Sequence, residues 1–150
     1  MNRQDEIETI LEHDCTVIAG PESSGKTNLL MECAAALSHS GKKALIVLST
    51  TSAKDFYDKM QSFAYSYDIS NVAVVKISDF TGTYEKLTKD ANTFDRVFFE
   101  EVNSAEQFVS IPKFVDVLTF EATTENGEPD WTNFWGVTLD ENGETVYAEE

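Results

Sequence analysis

Apolar positions along this chain fall into two alternating rhythms, one helical and one of strand length. Ile7, Ile10 and Leu11 share one face of a short amphipathic helix over 3–13. Cys15 to Ala19 then reads as a buried strand that runs into Gly20. From Lys26 a helix carries Leu29, Leu30, Cys33, Ala34 and Leu37 at helical spacing, with Gly41 as its C-cap. Ala44 to Leu48 is an unbroken apolar run, the pattern of a strand covered on both faces. Ser52 and Asp55 have helix-start spacing, and Phe56, Met60 and Phe63 follow at i, i+4 and i+7. Val72 to Val75 forms a third strand, and Tyr84, Leu87 and Ala91 mark a short third helix. Arg96 to Phe99 is a fourth strand ending in Glu100 and Glu101. Ser104 and Gln107 open a short helix stopped near Pro112, and Val115 to Phe120 is a fifth strand.

Strands alternating with helices predict an α/β fold: a mainly parallel sheet with right-handed crossovers and helices on both faces. After residue 120 the pattern changes. Asn142-Gly143 is a strong hairpin signal, and a two-residue turn there pairs Leu139 with Val146 and Val137 with Ala148. Glu-Asn-Gly-Glu also occurs at 125–128, so residues 115–149 are expected to form a small antiparallel meander on the sheet's edge. The expected organisation is one domain over 1–150, with a nucleotide-binding core at 1–120 and an acidic β-hairpin extension at 121–150.

Composition narrows the function. At 150 residues, 41% hydrophobic and 11% aromatic, the chain can fill a core. No apolar run approaches the ~18–20 residues of a membrane span, and no leader pattern opens the chain, so a cytoplasmic protein without membrane contact is expected. The net charge of −16 is uneven: residues 1–99 hold 10 basic and 14 acidic side chains, residues 100–150 hold 1 and 13. A chain with no basic cluster is a poor non-specific ligand for nucleic acid. Cys15 and Cys33 sit in apolar company and are expected as buried, reduced thiols. His13 and His39, far apart in sequence, do not suggest zinc.

Gly20-Pro21-Glu22-Ser23-Ser24-Gly25-Lys26-Thr27 fits the pattern G-x-x-x-x-G-K-[ST], between an apolar strand and an amphipathic helix. The glycines let successive backbone N–H groups turn inward toward phosphate oxygens, and the helix adds its positive end. The stretch from Gly20 through Asn28 is therefore the expected nucleotide-binding loop. Lys26, taken to lie in a solvated loop, reaches the β- and γ-phosphates, and the Thr27 hydroxyl can ligate Mg²⁺. The strand Arg96-Val-Phe-Phe supplies the second half of such a site. Glu100 is expected to hold the metal through water, and Glu101 to orient or deprotonate the attacking water. ATP and Mg²⁺ are the cofactors these residues suit.

The octapeptide at 20–27 is identical to that of the RecA recombinase family, and the helix through Ser40-Gly41-Lys42-Lys43 into Ala44–Leu48 is similar as well. The resemblance covers residues 14–50 well and 94–102 loosely. It implies a RecA-like P-loop ATPase that hydrolyses ATP with Mg²⁺; Lys26, and Glu101 from its place after Glu100, are the expected catalytic residues. RecA proteins keep a catalytic glutamate just after the second core strand; here that stretch is Ser49-Thr50-Thr51-Ser52, without an acid. Phe94 to Phe108 also resembles the cadence of cellular-type thymidine kinases, in which Glu101 would take a proton from a nucleoside hydroxyl. The zinc-binding cysteine pairs of that family are missing. A third reading is a nucleotide-gated binding module whose acidic C-terminal part contacts a partner.

The chain has two arginines, Arg3 and Arg96. Arg96 begins the acid-bearing strand, remote from the phosphates, and Arg3 lies on a terminal helix. The monomer is therefore expected to be a slow ATPase, accelerated by a protein partner or by self-assembly. Tyr57, Trp131 and Trp135 are the aromatic candidates for stacking on adenine.

Overall fold

The computed structural model describes residues 3–13, 16–22, 24–48, 51–64, 67–76, 94–102, 115–121 and 135–147. Helix α1 (Arg3–Glu12) leads into β1 (Thr16–Gly20), α2 (Lys26–His39) and β2 (Ala44–Leu48). Then come α3 (Ala53–Met60), β3 (Val72–Lys76), β4 (Arg96–Val102), β5 (Val117–Glu121), β6 (Trp135–Leu139) and β7 (Thr145–Tyr147). The strands form one sheet in the order β3–β2–β4–β5–β1–β6–β7. β1 to β6 are all parallel, and β7 pairs antiparallel with β6.

Local sequence accounts for the helix ends. Ser52 caps α3, its hydroxyl accepting the Asp55 N–H at 3.1 Å. α2 stops in a Schellman arrangement: Lys42 N–H donates to Leu37 C=O and Gly41 N–H to Ser38 C=O. All five residues of β1 and of β2 are buried, which explains their unbroken apolar runs. On one face of the sheet, Ile18, Ile46, Phe98, Val117 and Val137 pack with the apolar sides of α1, α2 and α3. Burying one large aliphatic side chain contributes roughly 1.5–3 kcal/mol, and Leu29, Leu30 and Met31 of α2 are each fully buried there. The opposite face, with Val17, Leu45, Val47, Phe99 and Phe120, is also buried. The helices expected over Tyr84–Ala91 and Ser104–Pro112 lie outside the described residues.

The C-terminal third departs from expectation in two ways. The described residues of 115–149 do not form an antiparallel meander: β5 and β6 flank β1 on either side, both parallel to it, with Thr16 opposite Val117 and Trp135. The sheet thus continues through residues 135–139, past the expected end of the core. The turn also differs. Leu139 pairs with Thr145 and Val137 with Tyr147, one residue off the expected register. Asp140 causes the shift: its N–H donates to Glu144 C=O, and its carboxylate accepts the N–H groups of Asn142 and Glu144. The result is a three-residue loop with Gly143 left-handed at φ 78°.

Candidate functional site

β1 delivers Gly20 to the carboxyl end of the sheet, where open parallel sheets hold their ligands. The chain then turns over Pro21 and Glu22, and Ser24 N–H donates to Pro21 C=O at 3.2 Å. Gly25 is the N-cap of α2 at φ 91°, a conformation that costs other residues about 1–2 kcal/mol. Among the described residues a Cβ built there would meet nothing within 4 Å. The first turn of α2 holds no acidic side chain, and its ladder begins with Leu29 N–H to Gly25 C=O. The preceding N–H groups of that turn have no acceptor within the helix. At Gly20 the packing is tight: a Cβ would lie 2.5 Å from Ser24 Oγ and 3.1 Å from the Leu139 carbonyl oxygen.

Lys26 is buried, at 5% exposure, and not in a solvated loop as expected. Its ammonium group folds back to donate to Pro21 C=O at 3.0 Å, so the loop's own backbone solvates it. Thr27 is half-buried in the first turn, and Glu22 and Asn28 are exposed. Ser23 lies outside the described residues. Ser24 Oγ is buried and has no hydrogen-bond partner among the described residues, where a ligand or water would fill the gap.

Glu100 is 2% exposed. It lies two strands from β1, because β5 intervenes, so about 10 Å separates it laterally from the β1 backbone. A β-bulge occurs at this point. Phe99 pairs with Leu118 and Val102 with Phe120, so three steps on β4 span two on β5. Glu100 and Glu101 fall within that bulge, where side chains are re-aimed relative to a regular strand. The Glu100 carboxylate accepts hydrogen bonds from the Thr51 hydroxyl and, at 3.4 Å, from the Thr51 N–H. Glu101 belongs to β4 by backbone; its side chain lies outside the described residues.

Two further hydroxyls, on Thr51 and Thr119, drew no expectation from the sequence. Thr51 carried no signal beyond its place after β2. Thr119 is the one hydroxyl in the apolar run Val117–Phe120; it is fully buried on β5, and among the described residues its hydroxyl has no hydrogen-bond partner. Neither arginine reaches the loop. Arg3 pairs with Glu6 at 3.0 Å and Glu32 at 3.5 Å. Burial pushes the Glu32 carboxyl above its ordinary range, an effect that Arg3 opposes. The Arg96 guanidinium donates to Leu11 C=O at 3.0 Å and His13 C=O at 3.4 Å, at the other end of the sheet.

The aromatic candidates are engaged elsewhere. Trp135 stacks on His13 with ring centroids 3.8 Å apart, at the amino end of β6. Tyr57 donates to Val72 C=O at the start of β3, and Trp131 lies outside the described residues. Among the described residues no group of three or more potential metal ligands gathers, and no helix is long and apolar enough to cross a membrane. Cys33 is buried as expected, and Cys15 lies outside the described residues.

No protein-family model matches the chain, and no curated protein matches it at the sequence level. Among solved structures it is similar to a KaiC-like protein of the hyperthermophilic archaeon Pyrococcus horikoshii OT3. The TM-score is 0.66 and the identity 15%, over 88% of this chain and 74% of that one. At that identity the likeness is one of architecture: the chain has an α/β, RecA-like fold built on a parallel sheet.

Proposed function

We propose that this chain binds ATP with Mg²⁺ and hydrolyses it, slowly alone and faster with a protein partner or in self-assembly. The observation that carries the reading is the loop itself. Gly25 is left-handed, the first turn of a 14-residue helix starts directly after it, and Lys26 waits on the loop's own carbonyl. Such a helix start favours anions through its N–H groups and dipole.

In this reading Gly20 to Asn28 cradle the phosphates, and Lys26 exchanges the Pro21 carbonyl for phosphate oxygens. The Ser24 hydroxyl, without a partner among the described residues, and the buried Glu100 carboxylate fit a site completed by ligand. Thr27 and Glu100 would hold Mg²⁺. With few carboxylates nearby, that suits an ion whose other ligands are phosphates and water. Bound Mg²⁺ supplies charge neutralisation on the phosphates. Glu101 would orient or deprotonate the attacking water. Arg3 and Arg96 are both committed away from the loop, which supports a slow basal rate and an accelerating group from outside. The charge of −16 argues against nucleic acid as a non-specific ligand.

The test is turnover with ATP alone, with ATP plus nucleosides, and with ATP plus nucleic acid, beside Lys26→Ala. Hydrolysis without transfer to a nucleoside is expected. Lys26→Ala should lower ATP affinity more than ~10-fold, through loss of a charge-assisted contact of ~1.5–3 kcal/mol. Equal ATP binding by variant and wild type defeats the proposal, and phosphate transfer to a nucleoside replaces it with a kinase.

A further inference from the structure

We propose that Thr51 is a positioning residue for Glu100, a role that rests on the nucleotide–Mg²⁺ reading of the site. Four observations converge. Both Glu100 carboxylate oxygens are engaged by this one residue, Oε2 by the Thr51 hydroxyl and Oε1 by its N–H. The acid is buried, so its orientation depends on donors from the protein, bulk water being largely excluded. It sits in a bulge, where the ladder with β5 is interrupted and the backbone alone does not fix the side chain. Thr51 is itself held firmly, because the next residue, Ser52, caps α3 through Asp55 N–H.

Leu48, the last residue of β2, pairs with Glu100 in the sheet, so the connection from β2 into α3 starts beside the acid. Thr51 returns along that connection to reach the carboxylate. Each carboxylate oxygen offers more than one acceptor direction. Two donors from Thr51, one on each oxygen, therefore help to fix the plane of the carboxylate. A carboxylate locked in this way binds a metal or its water without first losing rotamer freedom.

The experiment compares Thr51→Val, which keeps the branched shape and loses the hydroxyl, with Thr51→Ser, which keeps the hydroxyl. Affinity for a non-hydrolysable ATP analogue is measured with Mg²⁺ and with chelator, beside thermal melting. Thr51→Val is expected to lose ~10-fold or more of the Mg²⁺-dependent increment, the scale seen when partners of metal-binding side chains are removed. Its affinity in chelator should be unchanged, and Thr51→Ser should restore the increment. Thr51→Ala repeats the measurement should Val not be accommodated. An increment in Thr51→Val equal to wild type, or one lost equally in Thr51→Ser, overturns the role of Thr51. Nucleotide binding by wild type with no Mg²⁺ increment overturns the metal reading beneath it, and no nucleotide binding at all overturns the proposed function; either removes the role with it.

Discussion

Gly143 lies against Ser24: a Cβ built on this turn glycine would come within 3.2 Å of the Ser24 carbonyl oxygen. The tip of the β6–β7 hairpin thus packs on the backbone of the loop between β1 and α2, and the two are distant in sequence. Gly143→Ala meets two penalties, a left-handed φ of 78° and this contact. Together they should cost about 1–3 kcal/mol in stability and also weaken nucleotide affinity, because the displaced atom belongs to the loop. Gly143→Asn relieves the backbone penalty and leaves the contact. Urea unfolding and nucleotide titration of both variants separate the two effects: affinity lost in Ala and Asn alike assigns it to the contact.

Arg96 ties the end of α1 to the sheet through Leu11 and His13 carbonyls and an ion pair with Asp116 at 3.4 Å. Asp116 in turn accepts the Val97 N–H at 2.9 Å. Arg96→Met should therefore cost about 2–3 kcal/mol by urea unfolding, the range for hydrogen bonds made by a charged group. Nucleotide affinity and turnover should be unchanged, since the residue stands at the opposite end of the strand. Turnover lost with stability intact would instead mark Arg96 as catalytic.

Glu101→Gln keeps size and removes the base. ATP should still bind while hydrolysis falls ~10²–10⁴-fold. Unchanged turnover would reduce Glu101 to a neighbour of the site, and loss of binding together with turnover would make it the organiser of the metal.

Burial pushes the Cys33 thiol far above its ordinary pKa, with Glu32 adding to the effect. The reactive thiolate is disfavoured, so iodoacetamide at pH 8 to 9 should leave Cys33 unmodified in the folded protein and alkylate it in urea. Peptide mass spectrometry reads this directly. Modification of the folded protein that rises with pH would mean the thiol is accessible.

The sequence carried most of the first half of the fold because its signals there are local. β2 matches its apolar run from Ala44 to Leu48, and the Ser52 cap and the stop after α2 follow from side chains a few residues apart. The left-handed glycine ahead of α2 has an equally local origin, in Gly25 at the helix start. The partners of β1 were not, since nothing near Trp135 says that it will lie parallel beside Thr16. The hairpin register failed on one side chain, Asp140, whose carboxylate selects a longer turn than Asn142-Gly143 alone suggests. Burial of Lys26 and the grip of Thr51 on Glu100 are likewise tertiary facts.

That β1 is enclosed by β5 and β6 has a consequence for how the protein comes to exist. Thr16 must wait for Val117 and then for Trp135, across most of the chain's length. Parallel pairing over such separations closes long loops before any contact compensates, and it is intrinsically slow. During synthesis the segment that reads most plainly as functional emerges early, yet it stays unsupported until the last strands leave the ribosome. Acquisition of nucleotide binding would therefore coincide with completion of the whole sheet, and a nascent chain lacking β6 would expose one side of β1 as an open edge.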